Sequence, residues 1–119
     1  NKSIHEMETF KNGWFQVQDE AAQLVTLLLD PRPGDAVLDA CAGLGGKTGH
    51  IGQLMKNSGK MTALDIDKGK LYKLNHEMER LGITNVSTVS DDIGNPLLFK
   101  NLIENSVKRF CLWRSHYLL

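Results

Sequence analysis

The sequence predicts an α/β fold built on a mainly parallel sheet covered by helices. Two observations carry this. Short runs of strand length recur at residues 36–41, 61–66 and 86–90, mostly apolar in the first two and weaker in the third. The segments between them carry apolar residues at helical spacing, and Gly- or Pro-containing breaks separate the two patterns. The resulting order is one helix, then β-α-β-α-β-α-β. Such alternation builds parallel sheets through right-handed crossovers.

Each element has a local cause. Residues 1–13 are polar and read as a linker. Residues 19–29 form the first helix: Asp19 and Glu20 suit its positive end, and Leu24, Val25, Leu27, Leu28 and Leu29 give it a broad apolar surface. Asp30-Pro31 stops it, because a residue before proline avoids the α region. After the Pro33-Gly34-Asp35 turn comes Ala36-Val37-Leu38-Asp39-Ala40-Cys41, a buried parallel strand. A glycine-rich loop, Gly43-Leu44-Gly45-Gly46, leads to a helix starting near Lys47 or Thr48 that carries Ile51, Leu54 and Met55 inward. Within it, Gly52 is expected to cost about 1 kcal/mol relative to Ala.

Residues 61–66 are the second strand, after the break at Asn57-Ser58-Gly59. Leu71, Leu74, Met78 and Leu81 mark a helix over residues 68–81, which Gly82 ends. Residues 86–90 are a weaker third strand, Asn95-Pro96 caps a further helix, and residues 107–113 are a candidate fourth strand. The second and third strands should lie progressively outward on one side of the first, with the fourth on the other side. The loop after the first strand then sits at the topological switch point, where such sheets bind ligands.

Composition narrows the function. The 119 residues suit one domain or part of one, and a hydrophobic fraction of 41% supports a core rather than disorder. Fourteen basic and fourteen acidic residues give zero net charge, so the chain lacks the basic excess of a domain that grips nucleic acid alone. An RNA substrate would need other parts of the protein to hold it. Cys41 and Cys111 stand far apart with no disulfide pattern, which favours reduced thiols in a cytoplasmic setting. No CxxC or HxxxH spacing suggests a metal, and no run of membrane-spanning length or signal peptide is present. The chain begins at Asn rather than Met, which reads as a start partway into a longer protein.

The chemistry concentrates in residues 39–48, Asp-Ala-Cys-Ala-Gly-Leu-Gly-Gly-Lys-Thr. Glycines let a ligand approach the backbone, and the helix that follows favours a negative group at its amides. A phosphate would satisfy that preference, as would the carboxylate of S-adenosylmethionine; a plain tight turn is the bland alternative. Asp65 ends the second strand about 20 residues on, where an acid accepts hydrogen bonds from ribose hydroxyls in a dinucleotide fold. Its alternative role, capping the next helix, suits Asp67 better. Asp91 and Asp92 end the third strand and are candidate acceptors for an adenine amino group, or solvated turn acids. Three nucleotide-type sites compete. A P-loop would end in Gly46-Lys47-Thr48, but Cys41 occupies its first glycine position. A nicotinamide site would start with Gly43 and Gly45, but residue 48 is Thr. A methyltransferase loop tolerates the glycines as they stand.

A wider set of motifs bears on the choice. Gly13-Trp14-Phe15-Gln16-Val17-Gln18-Asp19-Glu20-Ala21-Ala22, Leu29-Asp30-Pro31, Val37-Leu38-Asp39-Ala40-Cys41-Ala42, Gly45-Gly46-Lys47-Thr48, Asp65-Ile66-Asp67 and Arg80-Leu81-Gly82-Ile83-Thr84-Asn85-Val86 follow in order. The series, over roughly residues 10 to 92, resembles the RsmB/Sun (Fmu) family of RNA cytosine-C5 methyltransferases. The resemblance implies a Rossmann-like methyltransferase sheet, here incomplete with three to four strands, and a partial S-adenosylmethionine-dependent domain over residues 14–119. It implies that Cys41, Ala42, Gly43, Leu44, Gly45, Gly46 and Lys47 wrap the methionine part of the cofactor. Asp65 would hold the ribose and Asp92 would lie near adenine, whereas Asp91 falls where the family usually has glycine. The family loop reads C-A-A-P-G-G-K-T; Gly43 and Leu44 replace its Ala and Pro, trading a fixed φ for freedom.

The family's reaction needs a thiolate that attacks C6 of cytosine, carried in a D-A-P-C segment, and a second cysteine in a T-C segment. Neither segment occurs in these residues, so no catalytic residue is assigned. Cys111, in Phe110-Cys111-Leu112-Trp113, reads as a buried structural cysteine, and the tail from Val107 onward resembles nothing in the family. Two expectations follow. One is the cofactor-binding portion of an RNA methyltransferase, ribosomal RNA first, inactive alone and dependent on other parts for RNA. The other is a non-catalytic remnant that binds the cofactor, or a partner or second copy through an unpaired sheet edge.

Overall fold

Four parallel strands, β1 (Ala36–Asp39), β2 (Lys60–Asp65), β3 (Val86–Ser90) and β4 (Arg109–Cys111), form a sheet of order β3-β2-β1-β4. The computed structural model describes residues 3–16, 20–104 and 109–111, the last as backbone alone. The order is the expected one: the chain steps outward twice, then crosses to the far side of β1. β1 stops at Asp39, two residues before the expected end, because Ala40 turns out of the sheet into the loop. Residues 107–108 and 112–113 of the expected fourth strand, the tail beyond them, and the burial expected for Cys111 lie outside the described residues.

Strand alternation divides the core between two faces. Val37, Met61 and Ala63 face α3 (Gly46–Met55) and α4 (Lys68–Leu81), where they pack with Ile51, Met55, Leu71, Leu74 and Met78. Leu38 and Leu64 face the other way, toward Leu98 and Leu102 of α5 (Pro96–Glu104). Leu38, Ile51, Met61 and Leu64 are almost fully buried, each worth about 1.5–3 kcal/mol in water-excluded surface. Gly52 has a packing reason: a Cβ there would stand 2.8 Å from Ile83 Cγ2, so the helix gives up propensity to let Ile83 in. Helix α4 has the expected ends. Asp67 Oδ1 accepts from the amides of Gly69 and Lys70, and Gly82 closes the helix in the left-handed region at φ 71°.

The amino-terminal segment is more structured than a linker. Ile4–Glu6 is a single 3-10 turn and α1 (Glu8–Lys11) follows, with Phe10 buried. Arg80 of α4 stacks its guanidinium 3.6 Å from the Phe10 ring centre and donates to the carbonyls of Phe10 and Phe15. Glu77 holds that guanidinium from one turn away. The next helix, α2 (Glu20–Leu29), buries Ala22 and Thr26, while Leu24, Leu27 and Leu28 are exposed. The expected first residue of α2, Asp19, lies outside the described residues.

Candidate functional site

The loops after β1, β2 and β3 gather at the carboxyl edge of the sheet because all three strands run the same way. The β1 loop stays beside β2 through the Ala42 amide, which donates to the Leu64 carbonyl at 3.0 Å. Its back is closed: the Ala42 side chain joins the core with Leu71, Leu74 and Met78, and a Cβ on Gly45 would meet Leu74 at 3.0 Å. Its front is open, since a Cβ built at Gly43 or Gly46 would meet nothing within 4 Å. Gly45 caps α3 in the left-handed region, φ 94°, which an L side chain adopts only under strain. The Gly45 carbonyl accepts the Gly49 amide at 2.9 Å and the side-chain amide of Gln16 at 3.1 Å.

Two strand-end acids have opposite environments. Asp39 shares the face of Val37, so it points under the loop toward α3 and is fully buried. Its Oδ2 accepts the Thr48 hydroxyl at 2.8 Å, while Oδ1 is buried with no hydrogen-bond partner. Burial pushes its carboxyl above the usual carboxylate range. The Thr48 hydroxyl, the Lys47 charge and the Cys41 amide pull it back, and Asp65 adds a smaller upward push. Asp65 lies at the end of β2 and is half-buried. Its Oδ2 accepts the Gly43 amide and its Oδ1 the Asp67 amide, each at 2.9 Å. Each carboxylate oxygen has a further lone pair for a ligand.

An open cavity of about 530 Å³ lies in front of these loops. Ala40 and Cys41 line it from β1, Asp65 and Ile66 from β2, and Asp91, Asp92 and Ile93 from β3. The structure therefore brings Cys41, Asp65 and Asp92 to one cleft, with Asp91 beside them. It does not bring the whole loop there. Ala42 turns its side chain into the core, Leu44 is exposed, Gly43 and Gly46 offer only backbone, and Lys47 is buried near Asp39. Asp92 Oδ1 accepts the Gly94 amide at 2.9 Å, and Asp91 faces Asn95 Nδ2 at 3.3 Å.

This set of acceptors has a chemical preference. Three carboxylates around one cleft repel a polyphosphate and accept hydrogen bonds from hydroxyl or amino groups. The two polar ends of the P-loop reading are spent internally: Thr48 is fully buried on Asp39, and Lys47 is buried beside it. Ile66 and Ile93 supply apolar surface suited to a flat ring. Among the described residues no group of three or more His, Cys, Asp or Glu side chains could hold a metal ion, and no helix is long and apolar enough to cross a membrane. His50, expected to pack or meet solvent, has a pKa lowered by burial and a buried Nδ1 without a partner.

Gln16, Ile66 and Ile93 were not singled out from sequence for this site. The isoleucines had a usable signal, since each follows a strand-end acid. Gln16 had none, because its contact spans 29 residues.

Residues 26–107 match the sequence profile of a family described as 16S rRNA methyltransferase RsmB/F. A Bacillus subtilis protein named "Probable ribosomal RNA small subunit methyltransferase B" is 48% identical over 75 residues, 63% of this chain and 17% of its own length. A Pyrococcus horikoshii protein named tRNA (cytosine(72)-C(5))-methyltransferase is 37% identical over 90 residues, 76% of this chain and 23% of its own. Among solved structures, NSun6 from Pyrococcus horikoshii with SFG superposes with TM-score 0.80 at 31% identity, covering 97% of this chain and 29% of that one. The chain thus spans about a fifth of the length of the curated relatives it matches.

Proposed function

Since this chain belongs to the family described as 16S rRNA methyltransferase RsmB/F, we propose that it is the S-adenosylmethionine-binding portion of an RNA cytosine-C5 methyltransferase acting on ribosomal RNA. One observation carries the reading: Asp65 and Asp92 converge on a single cleft with Ala40 and Cys41, where the glycine loop begins. Asp65 holds the ribose diol with the lone pairs that Gly43 and Asp67 leave. Asp92 accepts the adenine amino group between Ile66 and Ile93. The backbone from Cys41 to Lys47 follows the methionine part at the positive end of α3, with Gly43 and Gly46 leaving room. Three nearby carboxylates also suit a ligand that carries an ammonium and a sulfonium. When bound, the cofactor supplies an electrophilic methyl group.

The thiolate that activates cytosine belongs to D-A-P-C and T-C segments, which these 119 residues do not contain. RNA is held through other parts of the protein, in keeping with a net charge of zero. Residues 14–119 make up the partial methyltransferase domain of this reading. A second reading is a non-catalytic piece that binds the cofactor or a partner; the exposed Leu24, Leu27 and Leu28 of α2 favour the partner.

Thermal unfolding separates the ligands. A ligand that binds only the folded state raises the melting temperature once it exceeds its dissociation constant. S-adenosylmethionine, or its demethylated product, is expected to raise the midpoint, and ATP with magnesium is expected to leave it unchanged. The reverse pattern would favour a P-loop site and remove this reading.

A further inference from the structure

We propose that Gln16 is a positioning residue for the cofactor loop, acting as a clamp from the amino-terminal segment onto the peptide that opens α3; this rests on the cofactor reading above. Two observations point to it independently. Gln16 Nε2 donates to the Gly45 carbonyl at 3.1 Å. On the same side, Gly49 has no side chain where one would collide with that amide: a Cβ there would stand 2.4 Å from Gln16 Oε1 and 3.0 Å from its Nε2. Gly49 lies inside α3, where glycine is poor for helix stability, so the space it leaves is spent on seating Gln16.

The clamp acts at a sensitive point. Gly45 is the left-handed cap of α3, with no side chain to hold it. Its carbonyl already accepts the Gly49 amide, and the second bond from Gln16 fixes the plane of the Gly45–Gly46 peptide. A peptide unit is rigid, so fixing its carbonyl fixes the direction of its amide as well. Without Gln16 this glycine pair keeps only its backbone bonds and tilts more easily, and the cofactor must order it on binding.

The segment carrying Gln16 is itself anchored. Gly13, at φ 76°, lies so close to α4 that a Cβ would overlap the Arg80 carbonyl oxygen. Arg80 donates to the carbonyls of Phe10 and Phe15 and stacks on the Phe10 ring. The strap from Phe10 to Gln16 therefore carries the rigidity of α4 to the loop, from behind and outside the cleft.

The test combines calorimetry and carbonyl NMR on the full 119-residue chain, with S-adenosylhomocysteine as ligand. Gln16→Ala, and Gln16→Met as a variant of similar length without the donor, are expected to weaken binding about fivefold, the equivalent of one hydrogen bond. Gly49→Ala should weaken binding by a similar factor while holding or raising the melting temperature, because alanine favours the helix. In the double variant Gln16→Ala/Gly49→Ala the two losses should not add, since the collision is gone. The Gly45 carbonyl carbon resonance should move upfield in both Gln16 variants, a signature that general destabilisation does not produce. Wild-type affinity in Gln16→Ala and Gln16→Met, or fully additive losses in the double variant, would overturn the clamp and leave the cofactor site standing. No binding by the wild-type chain would overturn both.

Discussion

Asp39 and Asp65 end neighbouring strands on the same face of the sheet, yet they do different work. Asp39 pairs in register with Ala63, two residues before Asp65, so β2 reaches further out than β1. That offset puts Asp39 beneath the loop and Asp65 in front of it. Asp39 is fully buried, gives one oxygen to Thr48 and leaves the other without a partner. Asp65 spends both oxygens on backbone amides and still lines the cleft. One carboxylate fixes the start of α3 from inside; the other links two loops and lines the cleft. Position along the strand, rather than residue type, separates a buried acid from one that lines the cleft.

The largest expected effect comes from removing the outer acid. Asp65→Ala deletes the acceptor proposed for the ribose hydroxyls and is expected to weaken cofactor binding by about 1.5–3 kcal/mol, on the order of 10- to 150-fold. Asp91→Ala should cost much less, because the proposed reading gives that carboxylate no contact with the cofactor and its neighbour Asn95 only weak bonds to lose. Calorimetry on the two variants measures the contrast, and equal affinities for wild type and Asp65→Ala would take Asp65 out of the site.

Much of this was legible in the sequence because local signals agreed. The spacing of Leu71, Leu74 and Met78, the Asp67 cap and Gly82 fix α4 to the residue, and the apolar run before Asp65 places that acid at a strand end. Motif order then made the family recognisable. What stayed hidden depends on long-range packing. Phe10 lay in a stretch read as a polar linker, and its place comes from packing that includes Arg80, 70 residues away. Gly52 looked like a weakness in α3 until Ile83 supplied the reason. By pattern Asp39 fell inside a strand running to Cys41, and only the early end of β1 and its stagger against β2 show it as a buried strand-end acid beneath the loop.

A smaller effect sharpens the comparison from the inner side. Burial raises the Asp39 pKa above its ordinary 3.8, so the folded state holds this proton more tightly than the unfolded chain does. Above the folded-state pKa the buried charge weighs fully against folding. As pH falls through that value the burden lifts, and the gain is complete near 3.8, where the unfolded chain also takes up the proton. Asp39→Asn keeps an acceptor for Thr48 and removes the titration. The stability of wild type relative to Asp39→Asn should therefore rise as pH is lowered through that window, read from denaturant midpoints. Parallel curves for the two proteins would show that Asp39 does not carry the burden assigned to it.

The most direct test of the central claim is a two-dimensional amide NMR titration of the wild-type chain with S-adenosylhomocysteine. The account predicts saturable shifts centred on Cys41, Gly43, Asp65, Ile66, Asp92 and Ile93, with much smaller ones along α2. Shifts centred on α2, or no shift at millimolar ligand, would contradict it.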